Sequence, residues 1–322
     1  MSTAVVIPNW NSLTLLSRCL ESLRQGQGAE IELLVVDNGS TDGSVEYLER
    51  EGIPHISLQK NAGFATAVNL GARRTESDTV FVLNADTIVE KGSIEVLVDA
   101  LAADLRLGGV QPLILQLEDG QGGKAERPPT VYSAGQSLTR DGRGFEEGAG
   151  EVRTDRDLRR REVFGVCGAA CLLRRELFSE VGGYDEGYVS FCEDVDLNVR
   201  ARIAGWAFEL VPEAVVWHVG NAVWQSEFAD PIAENARLVA RNRIATQLKY
   251  MPAAALPRIA AVECGALAKS VAEHRFRATA AGKLEGLRQF PSLRRERRQL
   301  RETGDLAAAR AWLGRGRPTG SG

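Results

Sequence analysis

The 322-residue chain contains no uninterrupted apolar run of about 18 residues, the length a bilayer-spanning helix needs. The nearest approach, AAALPRIAAVECGALA from 253, is broken by Pro257, Arg258 and Glu263, so no spanning helix is expected. Cysteine is scarce and odd in number: Cys19, Cys167, Cys171, Cys192 and Cys264, with no Cys-x-x-Cys pair and no histidine beside them. That spacing argues against a zinc site and for packing cysteines. Met1–Ser2–Thr3 runs straight into an apolar strand without a secretory leader, so the expected compartment is a reducing cytoplasm. Glycine cradles for phosphate are missing too. After the first strand, Pro8-Asn9-Trp10-Asn11 stands where a dinucleotide fold needs G-x-G-x-x-G, and no G-x-x-x-x-G-K-[ST] occurs. An excess of positive charge is also absent: the formal net charge is −4, which points to no nucleic-acid partner. That total hides an asymmetry, because residues 231–322 hold 18 Lys/Arg against 7 Asp/Glu, whereas residues 1–230 hold 21 against 36.

What is present alternates. Apolar runs at 4–8, 31–36, 55–58, 79–83 and 109–115 predict strands, and helical spacing predicts helices over 12–25, 45–50, 65–74 and 91–103. Leu13, Leu16, Leu20 and Leu23 form the apolar stripe of the first helix. Such alternation indicates an α/β fold with a mostly parallel central sheet and helices on both faces. From Glu118 to Arg161, Gly, Pro and charged residues predict a long irregular functional loop. Then EDVDLNVRARIAGW predicts a helix stopped at Gly205, and FELVP and AVVWHVG predict two further strands. Beyond 230 the chain is helical, Ala/Arg-rich, and ends in GRGRPTGSG, expected to be disordered.

In open α/β sheets, ligands bind beyond the carboxyl ends of the strands. Those ends are polar here: Pro8, Asn9 and Asn11 after the first strand, Asp37 and Asn38 after the second, Asn84 and Asp86 after the fourth. Any one of these reads equally well as turn chemistry. All three on one edge read better as a binding site. Without a glycine cradle, phosphates call for a divalent cation held by carboxylate, and Asp86 is placed for that.

Five motifs occur in order: VVIPNWN, VVDNGSTDGS, NAGFATAVNLGAR, VFVLNADT and GGYDEGYVSFCEDVDLNVRARIAGW with PEAVVWHVG. Together, over roughly residues 3–225, they resemble glycosyltransferase family 2, most closely its bacterial rhamnosyltransferase-like branch. The resemblance implies a GT-A nucleotide-diphospho-sugar transferase fold, Mg2+ or Mn2+, and transfer with inversion. It implies Asp37 on the donor's base, Asn61 and Gly63 along the nucleotide, Asn84 near the ribose or the metal's waters, and Asp86 as metal ligand. Ala85 replaces the proline the branch more often carries, without removing a ligand. His218, alone a core or rim histidine, becomes a second metal ligand by this pattern. Asp194 becomes the general base, with Glu193 beside it. Both neighbours also have structural readings: Ser190 with Glu193 spells a capping box, and Asp196 with Arg200 an i,i+4 ion pair.

The implied donor is a dTDP-, UDP- or GDP-sugar, with dTDP-rhamnose favoured by the branch, and the acceptor a saccharide or lipid-linked saccharide of bacterial cell-surface polysaccharide synthesis. Tyr184, Tyr188, Phe191, Trp206 and Trp224 are candidates to stack on a sugar or to pack in the core. The expected organisation is a catalytic domain over 1–228, its nucleotide half about 1–115 and its acceptor half about 116–228, followed by a basic helical region over 229–322. LRQFPSLRRERRQLR (287–301) reads either as a peripheral anchor on the inner face of an anionic membrane, or as a solvated helix packed on the protein or a homodimer partner. Two other functions share the fold. A nucleotidyltransferase would show a Gly- and Lys/Arg-rich loop after the first strand, which is absent. A non-catalytic sugar-nucleotide-binding protein would lack Asp86 or Asp194, and both are present.

Overall fold

Strand β1 (Thr3–Asn9) is buried along almost its whole length, as its unbroken apolar run requires. The computed structural model describes residues 1–26, 31–117, 129–154, 158–220, 230–303 and 305–315. β1 pairs in parallel with β2 (Ile31–Asp37) on one side and β4 (Thr79–Leu83) on the other, and β2 pairs in parallel with β3 (His55–Ser57). Helices α1 (Leu13–Gly26), α2 (Ser44–Arg50) and α3 (Phe64–Arg74) connect them. α1 presses Leu16, Cys19, Leu20 and Leu23 onto one face of the sheet. α3 covers the other and can lie close because it carries Gly71 there. A Cβ on Gly71 would sit 2.4 Å from Val6 Cγ1.

The far side of the sheet continues through β11 (Ala170–Arg174), β6 (Leu107–Gln116), β12 (Ala207–His218) and the edge strand β10 (Arg161–Val163). β11 enters antiparallel between β4 and β6, while β6 and β12 run parallel. The core lies in two layers, one on each face of the sheet, with a third cluster where α6 meets the C-terminal region. α4 (Ser93–Ala103) and α5 (Arg175–Glu180) pack alongside β6, β12 and β11.

Two expectations need correction. FELVP and AVVWHVG are one strand, β12, with a register shift between Val211 and Val215. Pro212 cannot donate to the ladder, so a bulge carries the chain past it. Ser93 Oγ satisfies the freed backbone, donating to Val215 O (3.1 Å) and accepting from Val215 N (3.0 Å). Nor is the 118–161 segment uniformly irregular. Residues 118–128 and 155–157 lie outside the described residues, but the rest holds β7 (Val131–Ser133) on β6 and a hairpin of β8 (Gln136–Leu138) with β9 (Gly144–Glu146). Strands of three residues are too short to show a period, which is why composition alone hid them.

Helix α6 (Glu193–Ile203) stops at Gly205 (φ 98°), as expected. Onto it folds the basic C-terminal region: α7 (Pro231–Tyr250), α8 (Leu256–Ala272), α9 (Phe276–Arg288), α10 (Phe290–Thr303) and α11 (Leu306–Arg310). Buried Asp196 pins α7 to α6, accepting from Lys249 Nζ (2.9 Å), Tyr250 OH (2.5 Å) and its helix neighbour Arg200 Nε (2.7 Å). The Asp196–Arg200 pair is thus real but belongs to a larger buried network. Of the tail expected to be disordered, Gly314 donates its N–H to Leu138 O (2.8 Å), and residues 316–322 lie outside the described residues.

Candidate active site

A cavity of about 430 Å³ opens at the carboxyl ends of β1, β2 and β4. Its walls include nine of the expected residues: Pro8, Asn9, Asn38, Asn61, Asn84, Asp86, Glu193, Asp194 and His218. The cavity lies there because these three parallel strands all leave the sheet on that edge.

Three expected residues do not reach the wall. Asp37 is fully buried beneath it, and its two oxygens already accept from Asn9 Nδ2 (2.8 Å), Gly39 N (3.1 Å), Ser40 N (2.8 Å) and Ser40 Oγ (2.6 Å). In this arrangement it organises the loop after β2. Asn11 (φ 47°) spends its side-chain oxygen on Thr41 N (2.7 Å) and ties the same two loops together. Gly63 (φ 90°) supports the wall from behind, where a Cβ would meet Val189 O at 2.6 Å. Asn38 and Asn61 are oriented by that loop: Asn38 Nδ2 donates to Gly63 O (3.1 Å) and Asn61 Oδ1 accepts from Gly63 N (2.8 Å).

At one end of the cavity, Asn84 and Asp86 follow β4, and the chain turns into the short strand β5 (Thr87–Val89). β5 pairs antiparallel with β12 in the register Thr87↔His218, which sets His218 beside Asp86. His218 Nε2 lies 3.0 Å from Asp86 Oδ1 and 3.3 Å from Asn84 Nδ2, while Gly220 N donates to Asp86 Oδ2 (3.1 Å). Tyr132 packs its ring edge against the His218 ring at 4.3 Å between centroids. Burial works against a charged Asp86, but the His218 ring and the Gly220 N–H outweigh it and hold the carboxyl below its usual range. A carboxylate oxygen and an imidazole nitrogen converging from two elements fit a divalent cation that completes its shell with diphosphate oxygens and water.

Asp194 stands elsewhere on the cavity wall, in the first turn of α6, where the helix dipole favours a carboxylate. Its oxygens accept from Val195 N (2.8 Å), Gly168 N (3.1 Å) and Gln136 Nε2 (3.1 Å). Burial nevertheless raises its pKa, which moves it toward the range useful in a general base. The stretch 167–169 links both halves of the site. Gly168 N–H points to Asp194, and Ala169 O accepts from Asn84 N (2.9 Å). Glu193 is buried next to Asp194, and burial followed by that neighbouring charge pushes its pKa well up. Among the described residues its Oε2 has no hydrogen-bond partner. The expected capping box is absent: Cys192 is the N-cap residue, with φ 64° and no side-chain cap, and Ser190 Oγ instead accepts from Phe64 N at 3.5 Å.

Glu146 on β9 was not singled out by its sequence, yet it shares Gln136 with Asp194. Gln136 Nε2 donates to Glu146 Oε1 (3.0 Å) as well as to Asp194 Oδ2, and Ser133 Oγ donates to Glu146 Oε2 (2.5 Å). Burial first, then the Asp194 charge, pushes the Glu146 carboxyl up to about 7. Ligand atoms of Glu146, Cys167 and Asp194 lie within 4.8 Å of one another, spacing that would suit a cation. The Gln136 amide already bridges the two carboxylates, however, and burial keeps the Cys167 thiol protonated. The cluster is a hydrogen-bonded carboxylate pair.

The loop entering α6 is strained. Val189 (φ 65°), Phe191 (φ 69°) and Cys192 (φ 64°) all have positive φ, which a β-branched residue such as Val189 strongly avoids. Asn242 of α7 holds it: Nδ2 reaches Tyr188 O (2.9 Å), Ser190 O (2.8 Å) and Phe191 O (2.7 Å). Among the aromatic candidates, Phe191 lines the cavity. Tyr184 and Tyr188 are buried in the interior, the Trp206 indole N–H donates to Glu180, and Trp224 lies outside the described residues.

Residues 4–182 match the model of glycosyl transferase family 2. The chain is 33% identical over 220 residues to the N-acetylglucosaminyl-diphospho-decaprenol L-rhamnosyltransferase of Mycobacterium tuberculosis, an alignment covering 63% of this chain and 71% of that protein. It is 25% identical over 192 residues to the poly-beta-1,6-N-acetyl-D-glucosamine synthase of Staphylococcus aureus, covering 58% of this chain and 42% of that one. In three dimensions it is similar to GalNAc-T7 solved with UDP, GalNAc and Mn2+ (TM-score 0.56, 18% identity, 77% of this chain and half, 50%, of that chain). It is also similar to the mannosyltransferase PcManGT from Pyrobaculum calidifontis in complex with GDP-Man and Mn2+ (TM-score 0.53, 18% identity, 96% and 86%). At such identity these structures speak for the fold alone, which is of the GT-A type. With its family model spanning more than half of its length, the chain belongs to glycosyltransferase family 2 and is a glycosyltransferase.

Proposed function

We propose that the protein transfers L-rhamnose, from dTDP-rhamnose, to a hydroxyl of a lipid-diphosphate-linked saccharide in bacterial cell-surface polysaccharide synthesis, with inversion at the anomeric carbon. The reading rests on one observation above all: the Asp86–His218 pair and Asp194 line one cavity, each supplied by a different part of the chain. The name of the mycobacterial relative supports the sugar and the acceptor class. The acceptor oxygen attacks the anomeric carbon while the bond from that carbon to the diphosphate oxygen breaks. Asp194 Oδ takes the hydroxyl proton, and a single displacement inverts the centre. Pro8, Asn9, Asn38 and Asn61 hold the nucleotide, and Asn84 sits by its sugar end. Glu193 stands beside Asp194 on the cavity wall. Asp86 and His218 would hold Mg2+ or Mn2+, which when bound neutralises charge on the diphosphate.

Two measurements test this. Calorimetric titration with dTDP, UDP and GDP, each with and without Mn2+, is expected to show metal-dependent binding with dTDP preferred; equal, metal-independent binding of all three refutes the donor and metal assignments. Asp194→Asn is expected to bind the donor normally while turnover falls about 10²- to 10⁴-fold. Near-normal turnover in that variant rejects the base.

A further inference from the structure

Helices α8 and α9 are built inside out. α9 buries Thr279, Gly282, Lys283 and Gly286 and exposes its large apolar residues, Phe276 (44%), Leu284 (49%) and Leu287 (52%). The glycines face α7 closely enough that a Cβ on Gly282 would lie 2.0 Å from Arg237 O, and one on Gly286 2.6 Å from Arg241 O. α8 likewise buries Glu263 and Ser270 with Ile259 and exposes Leu256 (50%) and Val271 (57%). Buried Glu263 pairs with Lys283 of α9 and with Arg243 of α7 (2.7 Å), so ions staple the three helices together from within. A helix ordinarily turns such side chains the other way. Spacing on α9 makes the exposed set a stripe, since 276, 280, 284 and 287 fall on one face, and Phe290 (47% exposed) follows at the start of α10.

The charge beside these residues is of one sign. Arg258, Arg277, Arg288, Arg294, Arg295 and Arg298 are exposed. The four acidic residues between 256 and 300 are all taken up within the protein: Glu263 as above, Glu273 with Lys269 and Arg275, Glu285 with Arg237, and Glu296 with Lys249. Apolar side chains interleaved with uncompensated arginine are what an anionic bilayer surface binds. No helix among the described residues is long and apolar enough to cross a membrane.

We infer that the exposed face of α8, α9 and the start of α10 is a docking surface for an anionic membrane, on which the chain lies peripherally. This goes beyond the catalytic reading and does not depend on it, because binding to lipid is measured without turnover. The experiment is flotation of the full chain with vesicles of phosphatidylcholine alone and of phosphatidylcholine with phosphatidylglycerol. The chain is expected to float with the anionic vesicles and to release as salt rises. Leu284→Glu with Leu287→Glu removes flotation, while an unchanged circular-dichroism melt shows the fold intact, as expected for exposed positions. Arg288→Gln, Arg294→Gln and Arg295→Gln each lower the partition coefficient about fivefold. Absence of flotation with anionic vesicles overturns the inference, as does flotation that the double Glu variant leaves unchanged. A stable dimer in light scattering that the same variant dissociates, without loss of lipid binding, assigns the face to a second copy of the chain and overturns it as well.

Discussion

Replacing Glu146 with Gln should change how the protein's stability depends on pH. In the folded chain, burial and the Asp194 charge push the Glu146 carboxyl from its ordinary 4.5 up to about 7, while the Ser133 and Gln136 hydrogen bonds offset only part of that. The folded state thus holds this proton more tightly than the unfolded state does. Its contribution to stability is complete below about pH 4.5 and is lost as pH rises through about 7. At 1.36 kcal/mol per pKa unit, that amounts to about 3 kcal/mol. Glu146 is only part-buried on the cavity wall, and solvent there screens the charge, so about 2 kcal/mol is the expected size.

The Glu146→Gln variant keeps the shape of the side chain and carries no titrating proton there, so it should lack this slope. Urea denaturation of both proteins, at steps across the window, gives the difference in unfolding free energy directly. Relative to the variant, the natural protein should lose about 2 kcal/mol between about pH 4.5 and about pH 8. Comparing the two cancels the titration of shared groups that lie away from Glu146. Parallel stability curves would refute the upward shift of the Glu146 carboxyl.

Removing one metal-pair member should be visible without turnover: Asp86→Asn is expected to weaken Mn2+ binding in the presence of dTDP by about tenfold or more, about 1.4 kcal/mol, and unchanged affinity would reject the site. Asn242→Ala removes an NH2 whose two hydrogens are shared among three carbonyls, a loss of about 2 kcal/mol at about 1 kcal/mol per hydrogen bond. The strained loop before Asp194 should then relax, lowering kcat while the calorimetric Kd for the nucleotide stays put; equal loss of both would make Asn242 a general stability residue. Gly63→Ala forces a Cβ to 2.6 Å from Val189 O at a positive φ, and should impair both nucleotide binding and turnover, since that contact joins the donor loop to the loop of Asp194.

The strand-end side of the cavity was legible because its residues sit where local pattern locates them. Asn9, Asn38, Asn84 and Asp86 lie at or just past the ends of apolar runs, and a parallel sheet delivers all those ends to one edge. Asp37 marks the limit of such a reading. The same position that ends a strand also suits the loop's own donors, and four of them claim its oxygens. His218 needed more than position. It meets Asp86 because the bulge after Val211 lets β12 run on to pair with β5, and neither the bulge nor a three-residue strand has a period to read.

The residues around Asp194 were illegible for a related reason. Gln136, Glu146, Gly168 and Asn242 come from a hairpin, a loop and a C-terminal helix, and each is defined by a partner far away in sequence. No local spacing encodes them. The two halves of the site are therefore free to vary to different degrees. One side of the cavity is set by strand ends whose displacement would disturb the sheet. The surroundings of Asp194 are carried by short strands over 131–146 and by α7, which add to the sheet's margin and to its outside. Changes over 131–146 nevertheless reach Asn84 by two short non-covalent routes: the Gly168–Ala169 stretch between Asp194 and Asn84, and the Tyr132 ring against His218, whose Nε2 lies 3.3 Å from Asn84 Nδ2.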